Sequence, residues 1–159
     1  MKFISHRGNL RGKTSLENSP VQIEKCLEFG IECEIDLRII QNKFYLGHDD
    51  SEYEITYDWL KNRSTMLWIH CKNFDCLKFF VEKKSTEFNY FWHNNDDYTF
   101  TSKGYLWVFP DKELSENCIA VLPEIWVSIS SDLSLKKFAG VCSDYIIDYQ
   151  ESMKFKSGG

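Results

Sequence analysis

Side chains capable of chemistry follow three short apolar runs in the first third of the chain. His6-Arg7-Gly8 comes after the first run, Glu34 and Asp36 alternate with apolar residues in the second, and Gly47-His48-Asp49 comes after the third. Side chains at strand ends are held by a rigid scaffold and still reach solvent, which is where enzymes built on parallel sheets place their reacting groups. This pattern predicts an enzyme.

Acidic residues alternate with apolar ones along residues 31–37. Glu32, Glu34 and Asp36 are two residues apart, so they share one face of a strand, while the residues between them are apolar. Buried carboxylates repel each other and lose hydration unless a cation offsets them. Hard divalent cations prefer such oxygen ligands. We therefore expect a metal site, with the solvated face of an edge strand as the alternative.

The histidines repeat the same placement. His6, His48, His70 and His93 each follow an apolar run. Histidine can exchange a proton near neutral pH, and its neutral form binds metals. Any one of them could be a hydrogen-bonded structural residue, but parallel neighbouring strands would bring all of them to one pocket.

Further polar and aromatic residues suit an anionic substrate. Arg7 and Lys72 lie at predicted strand ends and could bind phosphate, or could pair with nearby acids. Asn18 precedes the first helix and could hydrogen-bond either substrate or backbone. Trp107 could form part of a pocket wall, although core packing is the commoner use of tryptophan.

Composition restricts the class of protein. The chain has 159 residues, 43% hydrophobic and 16% aromatic, which predicts one globular domain over residues 1–159. A net charge of −5 weighs against nucleic acid as a partner. No apolar stretch approaches the ~20 residues of a membrane span. Six cysteines without an export signal predict reduced thiols and a cytoplasmic location.

The order of predicted elements favours a barrel. Helices are expected from Pro20 to Gly30 and over 56–62, 73–84 and 133–138. Eight strands are expected, at 2–6, 31–37, 44–47, 66–70, 89–93, 105–109, 118–122 and 145–147. This is typical of a compact TIM-type (β/α)8 barrel, but such barrels usually need about 200 residues or more, so several outer helices must be reduced or missing. An open α/β sheet is the alternative.

The ordered motifs resemble those of the glycerophosphodiester phosphodiesterase family, a group of phospholipase-C-like enzymes. The family pattern of HRG, ENT, ExD and HD is matched by His6-Arg7-Gly8, Glu17-Asn18-Ser19, Glu34-Ile35-Asp36 and His48-Asp49. Residues 144–149 resemble the last strand of the family. The resemblance is strong over residues 3–50, moderate near 66–72 and weak between 85 and 140.

This resemblance implies a metal-dependent phosphodiesterase acting on a small-molecule phosphodiester, either glycerol-like or carbohydrate-linked. Glu34 and Asp36 would hold Mg²⁺ or Ca²⁺, with Mn²⁺ as a further candidate. His6 and His48 would form the general acid/base pair, and Arg7 would bind the phosphate.

One position departs from the family pattern. The family has Glu-x-Lys on the fourth strand, where this chain has His70-Cys71-Lys72, so His70 stands in the place of the third metal ligand. Two alternatives follow: a catalytically inactive phosphate-binding module, and a metal-dependent sugar lyase or isomerase on the same barrel. A reduced outer helical layer would leave apolar surface uncovered, so a homodimer is also expected.

Overall fold

The secondary structure is taken from a computed structural model that describes residues 1–125 and 137–157. Four α-helices and one short 3₁₀-helix (Pro123–Ile125) lie in this part of the chain; the α-helices are α1 (Pro20–Glu28), α2 (Tyr57–Lys61), α3 (Phe74–Glu82) and α4 (Ile146–Ser157). The strands are β1 (Lys2–His6), β2 (Glu32–Ile40), β3 (Lys43–Leu46), β4 (Tyr53–Ile55), β5 (Leu67–Cys71), β6 (Asn89–Phe91), β7 (Tyr98–Phe100), β8 (Leu106–Val108), β9 (Cys118–Val121) and β10 (Gly140–Ser143).

Helices α1, α2 and α3 each begin at a capping side chain. Ser19, Thr56 and Asn73 accept a hydrogen bond from the backbone N–H three residues later, which satisfies a donor that the helix itself leaves unpaired. Pro20 suits the first helical position because its fixed φ and missing N–H cost nothing there. Gly30, with a φ of 69°, follows the end of α1 as predicted.

The sheet is mixed, with a long parallel centre. Parallel pairing gives the strand order β6-β5-β2-β1-β10-β9-β8. Strand β2 extends beyond this centre, and its last residues pair antiparallel with β3, which pairs with β4. Strand β7 pairs antiparallel with β8 at the other end.

The sheet curls around an interior filled by large side chains. Phe91 of β6 and Trp107 of β8 have ring centroids 4.7 Å apart, although β6 and β8 are at opposite ends of the parallel strand order. Trp68 of β5 lies 5.8 Å from Trp107 by the same measure. The other members of this interior cluster are Ile4, Ile119, Val121 and Cys142. The sheet therefore encloses a small core on its inner face.

A second, larger cluster covers the outer face of the sheet. Cys33, Ile35 and Leu37 point outward from β2 and are fully buried. They belong to one cluster with Ile23 and Cys26 of α1. This confirms the predicted alternation of β2, with acids on the inner face and apolar residues beneath helices.

The architecture is mixed α/β with a curled sheet, and several details differ from the predicted eight-stranded barrel. The run at 44–47 forms half of a hairpin with β4. The prediction of a strand at 145–147 is wrong. The last strand is β10, which ends at Ser143, and helix α4 begins at Ile146. Ile146 and Tyr149, three residues apart, are both buried on one side of that helix. Strands β4 and β7 were not predicted.

Strand β6 bears on whether the sheet closes into a barrel, and the predicted helix at 133–138 bears on the outer helical layer. In the described residues, β6 pairs along its backbone with β5, and it meets β8 through side chains. Most of the helix predicted at 133–138 lies outside the described residues. None of the described helices combines the length and apolar character that a bilayer crossing requires.

Candidate active site

The register of the parallel strands brings the predicted site residues together. His6 of β1 lies beside Glu34 of β2, and Asp36 of β2 lies beside His70 of β5. Paired residues on neighbouring strands point to the same face, so these side chains meet at one mouth of the curled sheet. His6, Glu34 and His70 border a cavity of about 480 Å³, whose other polar lining residues are Arg7, His48, Lys72, His93, Asn94 and Asn95. All four histidines thus converge on one pocket, as the strand-end pattern predicted.

Asp36 lies at the centre of this group and is fully buried. The Asn18 side chain makes two hydrogen bonds to Asp36. Its Nδ2 donates to Asp36 Oδ2 at 2.9 Å, and its Oδ1 accepts from the Asp36 backbone N–H at 2.8 Å. Arg7 Nε lies 3.1 Å from Oδ2, and Lys72 Nζ lies 3.7 Å from Oδ1. Burial opposes ionisation, but His70 and these two cations hold the pKa of Asp36 well below its usual range. Asp36 is therefore an anion in the folded protein.

The surroundings of Glu34, unlike those of Asp36, disfavour the charged form of its carboxylate. It is almost fully buried, and burial together with the negative charge of Asp36 raises its pKa. Its Oε2 accepts a hydrogen bond from the Arg7 backbone N–H at 3.2 Å, while its Oε1 lies 3.9 Å from His70 Nδ1. A second anion in this position is costly without an added positive charge.

The group formed by Glu34, Asp36 and His70 fits a divalent cation. One ligand atom from each of these residues lies within 4.8 Å of the other two. Asp36 Oδ1 is buried and has no hydrogen-bond partner, which is costly for a carboxylate oxygen. A cation coordinated by this oxygen would remove that cost and would offset the paired acids.

His6 forms a buried pair with Asp144, which follows β10. His6 Nδ1 lies 2.7 Å from Asp144 Oδ1, and both side chains are at least nine-tenths buried. Burial lowers the pKa of His6, but the hydrogen bond to Asp144 and the charge of Glu34 outweigh it and raise the pKa overall. An Nδ1–H donated to Asp144 leaves Nε2 as the nitrogen available for proton exchange.

A hydrogen-bond chain continues behind this pair. Asn9 donates from one amide nitrogen to Asp144 Oδ1 at 2.8 Å and to Glu17 Oε1 at 2.7 Å. Glu17 in turn lies 3.4 Å from the Arg7 guanidinium. The loop between β1 and α1 adopts uncommon backbone conformations, with a φ of 53° at Arg7 and of 61° at Asn18. Such strain persists only where surrounding contacts impose it.

His48 lies on a loop held by Arg38. The Arg38 guanidinium donates to the backbone carbonyls of Gly47, His48, Asp49 and Asp50. Gly47 has a φ of 143°, and an added Cβ would lie 2.2 Å from the Asp50 carbonyl oxygen. His48 remains partly exposed, and burial and the charge of Arg7 lower its pKa. The loop thus presents an imidazole that favours its neutral form.

The other predicted residues take distinct places. Lys72, His93 and Trp107 line the cavity. The Asn18 side chain, in contrast, hydrogen-bonds to Asp36 through both its amide nitrogen and its amide oxygen. Trp107 also packs in the interior cluster. Glu32, two residues before Glu34 on β2, pairs with Lys2 at 2.7 Å. The opposite cavity wall is mostly apolar and consists of Trp107, Phe109, Pro110, Val121, Leu122 and Ile125.

Sequence reasoning missed the residues that position the histidines. Asp144 follows the apolar run at 139–142 as His6 follows Phe3-Ile4, but the last strand is predicted at 145–147, so Asp144 precedes that prediction instead of following a strand. Arg38 continues the two-residue spacing of Glu34 and Asp36, a signal that could have placed it on the same face. Asn9, which joins Asp144 to Glu17, carries no recognisable signal.

The chain was compared with protein-family models, with curated proteins and with solved structures, and nothing matches.

Proposed function

We propose that this protein is a metal-dependent phosphodiesterase, a phosphoric diester hydrolase, on a shortened barrel of the TIM type. Its substrate would be a small or carbohydrate-linked phosphodiester resembling a glycerophosphodiester. One observation carries the proposal: His6, which pairs with Asp144, and His48 border the same cavity as Glu34 and His70, and these last two residues form one group with the buried Asp36. The motif resemblance to the glycerophosphodiester phosphodiesterases supports the same reaction.

The charges around the cavity suit an anionic substrate. Arg7 and Lys72 both line it: Arg7 pairs with Asp36 and Glu17, and Lys72 lies 3.7 Å from Asp36. Arg7 can place its planar guanidinium against phosphate oxygens, and Lys72 adds a point charge. A divalent ion held by the acids and His70 would supply further positive charge for the phosphoryl oxygens.

Two histidines with opposite pKa shifts suit the two proton transfers of the reaction. His48, whose pKa is lowered, accepts the proton of the attacking hydroxyl, which belongs either to the substrate or to water. The attacking oxygen forms a bond to phosphorus while the bond to the leaving alcohol breaks. His6, whose pKa is raised, gives its proton to that alcohol from Nε2. A neighbouring substrate hydroxyl as nucleophile would produce a cyclic phosphate.

The same geometry gives a second candidate, a phosphate-binding module without turnover. His70 stands where the resembled family has an acid, and Asp36 already contacts three basic side chains. This candidate keeps Arg7 and Lys72 as anion ligands and assigns no proton transfer to the histidines.

Hydrolysis of an aryl phosphodiester by purified protein tests the choice between them. We expect turnover with Mg²⁺, Ca²⁺ or Mn²⁺ that a chelator stops, and a panel of glycerol-, sugar- and nucleotide-linked diesters would identify the alcohol groups. His6→Ala and His48→Ala should each abolish turnover and retain the circular-dichroism spectrum. Asp148→Asn, which removes an exposed partner of Arg11, is the matched surface control. Phosphate binding without turnover on any diester would favour the binding module.

A further inference from the structure

We propose that His70 coordinates the ion through Nδ1 and thereby makes the site selective for Zn²⁺ over Mg²⁺ and Ca²⁺. This inference rests on the metal site of the proposed function and departs from the Mg²⁺ or Ca²⁺ that the family resemblance implies.

The tautomer of His70 is fixed by its other ring nitrogen. Nε2 lies 2.9 Å from the backbone carbonyl oxygen of His93. A carbonyl oxygen can only accept, so Nε2 must carry the hydrogen, and in the neutral ring Nδ1 carries the lone pair. A backbone carbonyl behind a ligating histidine is a common way in which proteins orient the ring and raise its basicity.

Packing fixes the orientation of the ring as well. The His70 imidazole stacks on Phe91, with centroids 5.2 Å apart and an interplanar angle of 7°. The stacking and the carbonyl together oppose a flip of the ring. Nδ1 therefore stays on the side of the acids, 3.0 Å from Asp36 Oδ1 and 3.9 Å from Glu34 Oε1.

Asp36 Oδ1 is buried without a well-aligned hydrogen-bond partner, although His70 Nδ1 lies 3.0 Å from it. In the neutral ring, the lone pair of Nδ1 and this carboxylate oxygen can both coordinate one metal ion. Glu34 Oε1 completes the set of ligands.

The donor set then determines the preference. Ca²⁺ takes six to eight oxygen ligands and Mg²⁺ prefers oxygen in strict octahedral geometry, whereas imidazole nitrogen suits later divalent metals. Replacing a third carboxylate by a neutral imidazole also removes a negative charge, which hard ions need most. Lys72 and Arg7 beside Asp36 reduce the negative charge further.

Pulsed electron paramagnetic resonance of Mn²⁺-loaded protein tests this directly, because a coordinated imidazole adds a ¹⁴N coupling to the Mn²⁺ signal. We expect the coupling in the unaltered protein and in His93→Gln, whose backbone carbonyl is retained, and we expect its loss in His70→Gln and His70→Glu. Calorimetric titration of metal-free protein should show that His70→Glu lowers the ratio of Zn²⁺ to Mg²⁺ affinity by at least about tenfold. His70→Gln, which adds no charge, covers the case in which the glutamate variant does not fold.

The outcomes separate this inference from the phosphodiesterase proposal. Bound Mn²⁺ without ¹⁴N coupling, an unchanged affinity ratio in both variants, or no binding of Mn²⁺ and Zn²⁺ at all would overturn it. A ¹⁴N-coupled ion in a protein that cleaves no diester would leave it intact and would refute the phosphodiesterase function. Metal-dependent turnover without the ¹⁴N coupling would refute coordination by His70 and would support the phosphodiesterase function.

Discussion

The substitution Asp144→Asn separates the charge behind His6 from the shape of its surroundings. Asp144 Oδ1 accepts from both His6 Nδ1 and Asn9 Nδ2, and an asparagine oxygen in the same place can accept both bonds. Asp144→Asn therefore removes the negative charge and keeps the tautomer of His6. Asp144→Ala removes the acceptor as well.

The expected size follows from the hydrogen bond. A bond to a charged partner contributes about 1.5–3 kcal/mol, and a neutral one about 0.5–1.5 kcal/mol. Asp144→Asn should thus cost about 1 kcal/mol of interaction with protonated His6. That lowers the pKa of His6 by roughly one unit, since one unit corresponds to about 1.4 kcal/mol. Asp144→Ala should lower it by about one to two units.

The sign of the pH effect on the rate follows from the role proposed for His6. A general acid must be protonated, so activity declines as pH rises through its pKa. A lower pKa of His6 moves this alkaline limb to lower pH, by roughly one unit in Asp144→Asn. The rate at neutral pH should fall about tenfold in Asp144→Asn and up to about a hundredfold in Asp144→Ala.

Two measurements check this reasoning, and one of them does not require activity. Nuclear magnetic resonance titration of the imidazole signals, in chelator, gives the pKa of His6 directly. The pH profile of kcat/KM on an aryl phosphodiester gives the alkaline limb. Asp148→Asn should change neither. If Asp144→Asn leaves the pKa of His6 unchanged, the buried pair does not set the protonation of this histidine.

Three further substitutions test the supports of the site. Glu34→Gln should abolish metal affinity and should stabilise the metal-free protein by about 1 kcal/mol in urea unfolding at neutral pH. Burial raises the pKa of Glu34, so its charged form opposes folding, and the gain in stability should vanish at pH values below the ordinary pKa range of a carboxylate. Asn18→Ala should destabilise the fold by about 2–4 kcal/mol, since it removes both bonds to Asp36, and Asn18→Gly, which tolerates the φ of 61°, should unfold at higher urea than Asn18→Ala. Arg38→Lys should speed amide hydrogen exchange in residues 47–50 and lower kcat about tenfold or more, because lysine cannot span four carbonyls; unchanged exchange would show that Arg38 does not hold the His48 loop.

Local pattern was enough to predict most of the strands but could not reveal how they pair. The alternation of acids and apolar residues in β2 fixed its two faces, because a side-chain period of two is read directly from the residues. The pairing of β3 with the far end of β2 depends on which edge is free, and that is a property of the whole sheet. The segment at 145–149 is apolar enough for a strand, and its burial at three-residue spacing becomes visible only in the fold.

The candidate site divides in the same way. Residues that face the cavity from strand ends, such as His6 and His70, have an apolar run before them and could be identified from the sequence. Residues that orient these side chains lie elsewhere in the chain: Asp144 is 138 positions from His6, and Arg38 acts on a loop ten residues away. A single sequence contains no signal for such distant partners, because many acids and arginines satisfy the same chemical requirement.

Register is the property on which the whole site depends. Asp36 lies beside His70, and His6 lies beside Glu34, only because the parallel ladders hold β1, β2 and β5 in one alignment. A slip of β2 by one residue would turn its acids outward into the apolar layer and its apolar residues toward the cavity. The cost of burying two acids without a cation would then add to the loss of the outer core. The outer apolar cluster and the charged cavity therefore stabilise the same alignment, and a sequence that forms one of them also assembles the other.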